Sequence, residues 1–164
     1  MTDDLKRFIE GFDNEDALRR AVEALLMKMP GCTNVRATHG ALEQGKDIVF
    51  CSKGPMGETL LNACVIKNGK ISGSAESGSG ARTVFHQVEQ SLDTPILNEQ
   101  GETQPVSRAY VITPHECSPQ AMESISGSLK TRSGQVAFIC GNDLLLKFKT
   151  YWPDFLLANV KFLG

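Results

Sequence analysis

The chain is 164 residues long, 41% hydrophobic and 22% charged, which excludes a disordered or fibrous chain and gives one domain over residues 1–164, large enough to fold on an apolar core without disulfide or metal staples. With 17 Lys plus Arg against 19 Asp plus Glu the formal charge is −2, so the overall field does not draw the protein onto nucleic acid or anionic lipid, and any such contact must come from a local patch. No apolar run approaches the roughly 20 residues that span a bilayer, and the start, Met1-Thr2-Asp3-Asp4, is acidic where a signal peptide is basic. The expected compartment is the cytoplasm. Cys32, Cys51, Cys64, Cys117 and Cys140 are odd in number, scattered and without a C-x-x-C pair. They are expected to be reduced and mostly packed, rather than a disulfide framework or a structural zinc site.

Leu5, Phe8, Ile9 and Phe12 recur at helical spacing, and Asp13 or Asn14 can cap a second helix carrying Ala17, Leu18, Ala21, Val22, Leu25, Leu26 and Met29. Pro30-Gly31 ends it. Short β-type runs follow at residues 34–38, 47–51 and 59–67, separated by glycines and the Lys53-Gly54-Pro55 turn. Residues 47–51 and 59–67 are predicted as adjacent strands packed under the second helix. Asn68-Gly69 is a tight-turn signal, and the Gly- and Ser-rich segment 72–80 reads as a loop.

Phe85, Val88 and Leu92 share a helical face, Thr94-Pro95 closes that element, and residues 98–105 read as a polar loop. The second half alternates: a strand at 106–113, a helix opened by Ser118-Pro119 with Met122, Ile125 and Leu129 in phase, a strand at 135–140, and a helix at 142–152. This order predicts an α/β domain with a central mixed sheet flanked by helices.

Three features could carry chemistry. Asp47 stands at the start of an apolar strand after the glycine-bounded run Gly40 to Gly45, Lys67 ends the following strand, and Glu23 lies in the middle of the second helix. An Asp on one strand and a Lys on the next can face one another as a charged cluster at the sheet ends. Each also has a plainer role: Asp47 as a turn or capping residue, Lys67 as a solvated side chain, Glu23 turned to solvent beside Val22 and Leu25. His39 and Glu43 are loop residues on the same reasoning.

A helix with Glu, a glycine-bounded Asp-Ile-Val strand and a strand running into Lys67, then Gly69-Lys70-Ile71, resemble the restriction-endonuclease-like, or PD-(D/E)XK, nuclease superfamily, in the branch similar to type IV restriction enzymes. Gln87 in a helix, the Val-Ile-Thr strand ending at Thr113, and Val136 to Ile139 followed by Gly141-Asn142-Asp143-Leu144 extend the resemblance over roughly residues 17–155. It implies a restriction-endonuclease-like fold acting on DNA, and leaves open a place in a larger protein or partners among other protein domains or subunits. It also implies Mg²⁺ held by Asp47 with Glu23 as an auxiliary acid, and Lys67 stabilising charge at the phosphate.

One position departs from the pattern. Two residues before the lysine the family places Glu, Asp or Gln as a metal ligand, and here stands Val65, whose side chain coordinates nothing. Two readings stay open: a metal-dependent nuclease in which Glu23, Glu43 or another acid fills in, and a catalytically degenerate fold serving as a DNA-binding or protein-interaction module. A small-molecule enzyme on an unrelated α/β fold is a third. DNA contacts are expected at Lys46, Lys67, Lys70 and Arg82.

Other constellations carry less. His115-Glu116-Cys117 has no third residue to orient a Cys-His nucleophile. The glycines at 73, 78 and 80 lack the Gly-Lys-Ser/Thr ending of a phosphate loop. Tyr151-Trp152-Pro153 could offer a stacking surface, although aromatics beside a helix-ending proline usually seal a core.

Overall fold

The structure is a computed structural model and describes residues 2–38, 45–73, 80–98 and 100–160. Two helices open the chain, α1 (Thr2–Glu10) and α2 (Glu15–Lys28). Asn14, in extended conformation, is the residue that caps α2: its side chain accepts the Ala17 N–H at 2.8 Å. Glu15 and Asp16 follow in the first turn, where the helix dipole favours carboxylates. Leu18, Ala21, Val22, Leu25 and Leu26 form the buried stripe that the sequence spacing predicts.

Next come β1 (Thr33–Ala37), β2 (Ile48–Lys53) and β3 (Thr59–Ile66), then α3 (Ala81–Asp93), β4 (Ile96–Leu97), β5 (Thr103–Gln104) and β6 (Arg108–Thr113). The chain continues through α4 (Pro119–Ser128), a 3₁₀ turn at Lys130–Gln135, β7 (Val136–Cys140), α5 (Asn142–Tyr151) and α6 (Pro153–Val160). Five strands make one mixed sheet in the order β1-β2-β3-β6-β7. β1, β2 and β3 pair antiparallel, while β3, β6 and β7 pair parallel. The expected adjacency of 47–51 and 59–67 is thus present, with Ile48 opposite Cys64 and Lys53 opposite Thr59.

Strand alternation divides the core into two layers. Ile48, Phe50, Cys64, Ile66 and Ile112 pack with α1, α2, α5 and α6. Val49, Leu61, Ala63, Val65, Ala109 and Val111 pack with α3 and α4. Both parallel crossovers pass over this second face, as two consecutive strand moves in one direction require when crossovers keep one hand. No helix among the described residues is long and apolar enough to cross a membrane.

Two elements differ from expectation. The segment read as a polar loop forms the turn and second strand of a small hairpin, Ile96 with Gln104 and Leu97 with Thr103. Its turn is organised by Asn98, whose Oδ1 accepts the N–H groups of Gln100 and Glu102, so a polar run without hydrophobic alternation still pairs. Pro153 ends α5 but also begins α6, a first-turn position where its missing N–H costs nothing. The aromatics around it do seal a core. Trp152 and Phe155 stack with centroids 4.2 Å apart, Phe148 and Phe155 lie at 5.5 Å, and Phe8 of α1 meets Phe155 at 5.4 Å. The Lys28 ammonium sits 5.3 Å from the Trp152 ring.

This cluster ties the N- and C-terminal helices together through Phe148, which is fully buried. Phe148→Ala is expected to destabilise the fold by about 3–5 kcal/mol, whereas Leu157→Ala, at a position 54% exposed, should stay within about 0.5 kcal/mol of the parent. Urea unfolding of both variants followed by circular dichroism checks the contrast.

Candidate functional site

Polar side chains collect where β3 and β6 end and β2 begins. Asp47 precedes β2 by one residue. Its N–H donates to Cys64 O at 2.9 Å, and its carboxylate Oδ2 accepts the Ile66 N–H at 2.7 Å. The aspartate side chain therefore closes the β2–β3 ladder, taking an N–H that a backbone carbonyl would take in a regular sheet. The register that pairs Ile48 with Cys64 brings Asp47 alongside Val65. Val65 is fully buried in the layer formed with α3 and α4.

Asp47 shares a cleft of about 160 Å³ with Glu15, Asp16 and Arg19 from the first turns of α2. The Asp16 carboxyl is held below its ordinary range, first by a hydrogen bond from Arg20 and then by the charges of Arg20 and Arg19. Glu23 lies four residues past Arg19, one helical turn or about 6 Å farther along the axis, half-buried and not among the residues lining that cleft. From α2, the side chains that line the cleft with Asp47 are Glu15, Asp16 and Arg19. Glu43 and His39 lie outside the described residues. Among the described residues, no three His, Cys, Asp or Glu side chains are grouped to hold a metal ion. Within this cleft the Asp47 carboxylate accepts a strand N–H and Arg19 stands beside it, while Val65 occupies the position where the resemblance implies a ligand.

The four lysine and arginine residues expected to meet DNA separate into two groups. Lys70 and Arg82 are exposed. A bridge between Ser72 and Gly80, with the Ala81 N–H donating to Ser72 O at 2.9 Å, brings the segments that carry them side by side. Lys67 adjoins them at the end of β3, its N–H donating to Ile112 O at 2.9 Å, and is 8% exposed.

Lys46 is the correction: at 1% exposure it is inside the protein and is not a surface phosphate contact. Its Nζ is buried without a hydrogen-bond partner among the described residues, and burial pushes its pKa below the ordinary 10.5. The preceding Gly45 has φ +82°, and a Cβ there would stand 2.5 Å from Gln87 O. Glycine is what lets this segment press against α3 and carry the lysine inward. Gln87 Oε1 and Asn68 Oδ1 are likewise buried and unpartnered, though Asn68 Nδ2 donates to Phe12 O at 2.8 Å.

Beyond Lys70, a second cleft of about 400 Å³ opens at the ends of β6 and β7, with Cys117, Phe138, Cys140 and Asp143 in its wall. His115 is oriented through its backbone, the N–H donating to Thr113 Oγ1 at 3.2 Å, while Thr113 Oγ1 donates to Gly69 O at 2.7 Å. A third, mainly apolar cavity of about 220 Å³ lies between α2, α5 and the sheet, among Val22, Leu25, Phe50, Tyr110 and Leu144. Comparison of the chain with protein-family models, curated proteins and solved structures finds no match.

Two outcomes follow from this geometry. Asp47→Ala leaves the Ile66 N–H without its acceptor and should cost about 1–3 kcal/mol, most of it recovered by Asp47→Asn, whose amide oxygen accepts the same bond; denaturant unfolding distinguishes them. For Lys46, the folded pKa lies below 10.5, so between the two values the unfolded chain binds more protons and stability rises with pH. Lys46→Met should therefore be more stable than the parent at neutral pH, with the gap closing as pH approaches 10.5. A pH series of unfolding midpoints in which the gap stays constant would show that Lys46 is not buried as a charge.

Proposed function

We propose that the chain is a restriction-endonuclease-like domain that binds DNA without cutting it, acting with other protein domains or subunits. The reading rests on helix α2 followed by three antiparallel strands and an α3 crossover to a parallel strand, with Asp47 and Lys67 at the ends of adjoining strands. The observation that carries the choice between cutting and binding is the Asp47 carboxylate, which accepts the Ile66 N–H at 2.7 Å beside the fully buried Val65. An aspartate that completes the sheet, with no second ligand on the neighbouring strand, holds a strand end rather than a hydrolytic metal ion.

Lys70 and Arg82, with the edge of Lys67, supply the contacts. Two or three neutralised phosphates give a log–log salt slope of about −1.8 to −2.7, so affinity for duplex DNA should fall roughly 10- to 40-fold over a fourfold rise in salt. Lys70→Glu combined with Arg82→Glu should remove the gel shift, and Lys46→Met should leave it in place. Plasmid incubated with the parent protein and Mg²⁺ or Mn²⁺ should remain supercoiled. Absence of a shift at low salt would overturn the binding reading. Metal-dependent nicking that disappears in Asp47→Ala would restore the nuclease reading.

A further inference from the structure

Cys117 and Cys140 lie on different elements, and neither sits near Asp47 in sequence or shares its cleft. The parallel pairing of β6 with β7, Thr113 opposite Cys140, carries the end of β7 up to the segment that leaves β6. The bridge between Ile71 and Cys117, with the Ile71 N–H donating to Glu116 O at 3.1 Å and the Ser118 N–H to Ile71 O at 3.0 Å, fixes that segment in place. The two side chains are thereby brought to one wall, both lining the cleft of about 400 Å³ at the strand ends, where each perturbs the other's ionisation. We propose that Cys117 and Cys140 are a redox-active dithiol, oxidised by hydroperoxides to an intramolecular disulfide in this cleft.

The two sulfurs are not equivalent. Cys117 immediately precedes Ser118, the N-cap of α4, whose Oγ accepts the Ala121 N–H at 3.1 Å, and Lys70 lines the same cleft. The neighbouring Cys140 side chain holds the Cys117 pKa below its ordinary value. Cys140 is raised in turn by its neighbour Cys117 and by burial. Cys117 is therefore the attacking sulfur and Cys140 the resolving one.

The Cys117 thiolate attacks the terminal oxygen of the hydroperoxide and the O–O bond breaks. The alkoxide or hydroxide that leaves takes a proton, and Cys117 becomes a sulfenic acid. Cys140 sulfur then attacks Cys117 sulfur, the S–O bond breaks, and the departing hydroxide leaves as water with the Cys140 proton. Two thiols lose two electrons and two protons, and the peroxide is reduced to alcohol or water. By contrast, Cys64 is fully buried with its thiol pushed up by desolvation, and Cys32 is raised for the same reason. Neither has the environment of a reactive sulfur.

The full chain, reduced and then treated with an equivalent of hydrogen peroxide, is alkylated under denaturing conditions and mapped by mass spectrometry. Loss of two hydrogens in the intact chain is expected, with a Cys117–Cys140 linked peptide, Cys32, Cys51 and Cys64 alkylated, and full reversal by dithiothreitol. Cys140→Ser should stop at a sulfenic acid on Cys117, trapped by dimedone, and Cys117→Ser should give neither product. Recovery of all the cysteines as alkylated thiols, a disulfide between any other pair or between chains, or Cys117 driven to sulfinic acid without a disulfide would each overturn the assignment. The linked peptide is read in the unmutated protein, so the result does not depend on how the serine variants fold, nor on whether the domain binds DNA.

Discussion

Burial of β3 on both faces is the constraint on which the rest of the structure depends. Every residue from Leu61 to Ile66 is buried, odd positions under α3 and α4, even positions largely under α2 and α5. A strand covered on both sides reads as a continuous apolar run, and polar groups can appear only where it stops or where a hydrogen bond is waiting. Asn62 is the exception that meets this condition, with its Nδ2 donating to Ser52 Oγ at 2.9 Å. Val65 lies inside the strand, and Lys67 and Asn68 lie just beyond it. A carboxylate at position 65 would sit under α3 with Val84, Val88 and Val111 as neighbours in the same layer, which is tolerable only with a cation to coordinate.

Asp47 faces the same constraint from the other side of the hairpin. The ladder between β2 and β3 becomes irregular at its open end, where the Asp47 N–H bonds to Cys64 O although the register pairs Cys64 with Ile48. That irregularity would orphan the Ile66 N–H, and the carboxylate takes it. A short acidic side chain at a strand start has two uses, a ligand pointing out or a cap pointing back, and a sequence reads identically for both. What separates them is the direction of one side chain, which no residue pattern announces.

The architecture was legible because it rests on periodicity. The apolar stripe of α2 and the short apolar runs of β2 and β3 each place their element before any contact is known. The missed elements depend on context instead. β4 and β5 have two residues each and pair because Asn98 organises their turn, and α6 begins at a proline that equally marks the end of α5. In the site, Lys46 looks like any loop lysine, and its burial follows from the positive φ of Gly45 and the pressure of that segment on α3. The Cys117–Cys140 pair is invisible for a topological reason: the residues are separated by an entire helix, and only the β6–β7 register brings them together.

That register also explains why the basic residues and the two cysteines stand next to each other. Parallel strands deliver every departing chain to one end of the sheet, so β3, β6 and β7 release Lys67, the segment of Cys117, and Cys140 at a common edge. Groups that the strands themselves have no room for accumulate there, between the starts of α3, α4 and α5. Lys70 lies where the two territories meet: it is exposed toward solvent near Arg82 and also lines the cleft of the two thiols. A cation in that position favours an anion on either side of it, a phosphate outside or a thiolate within.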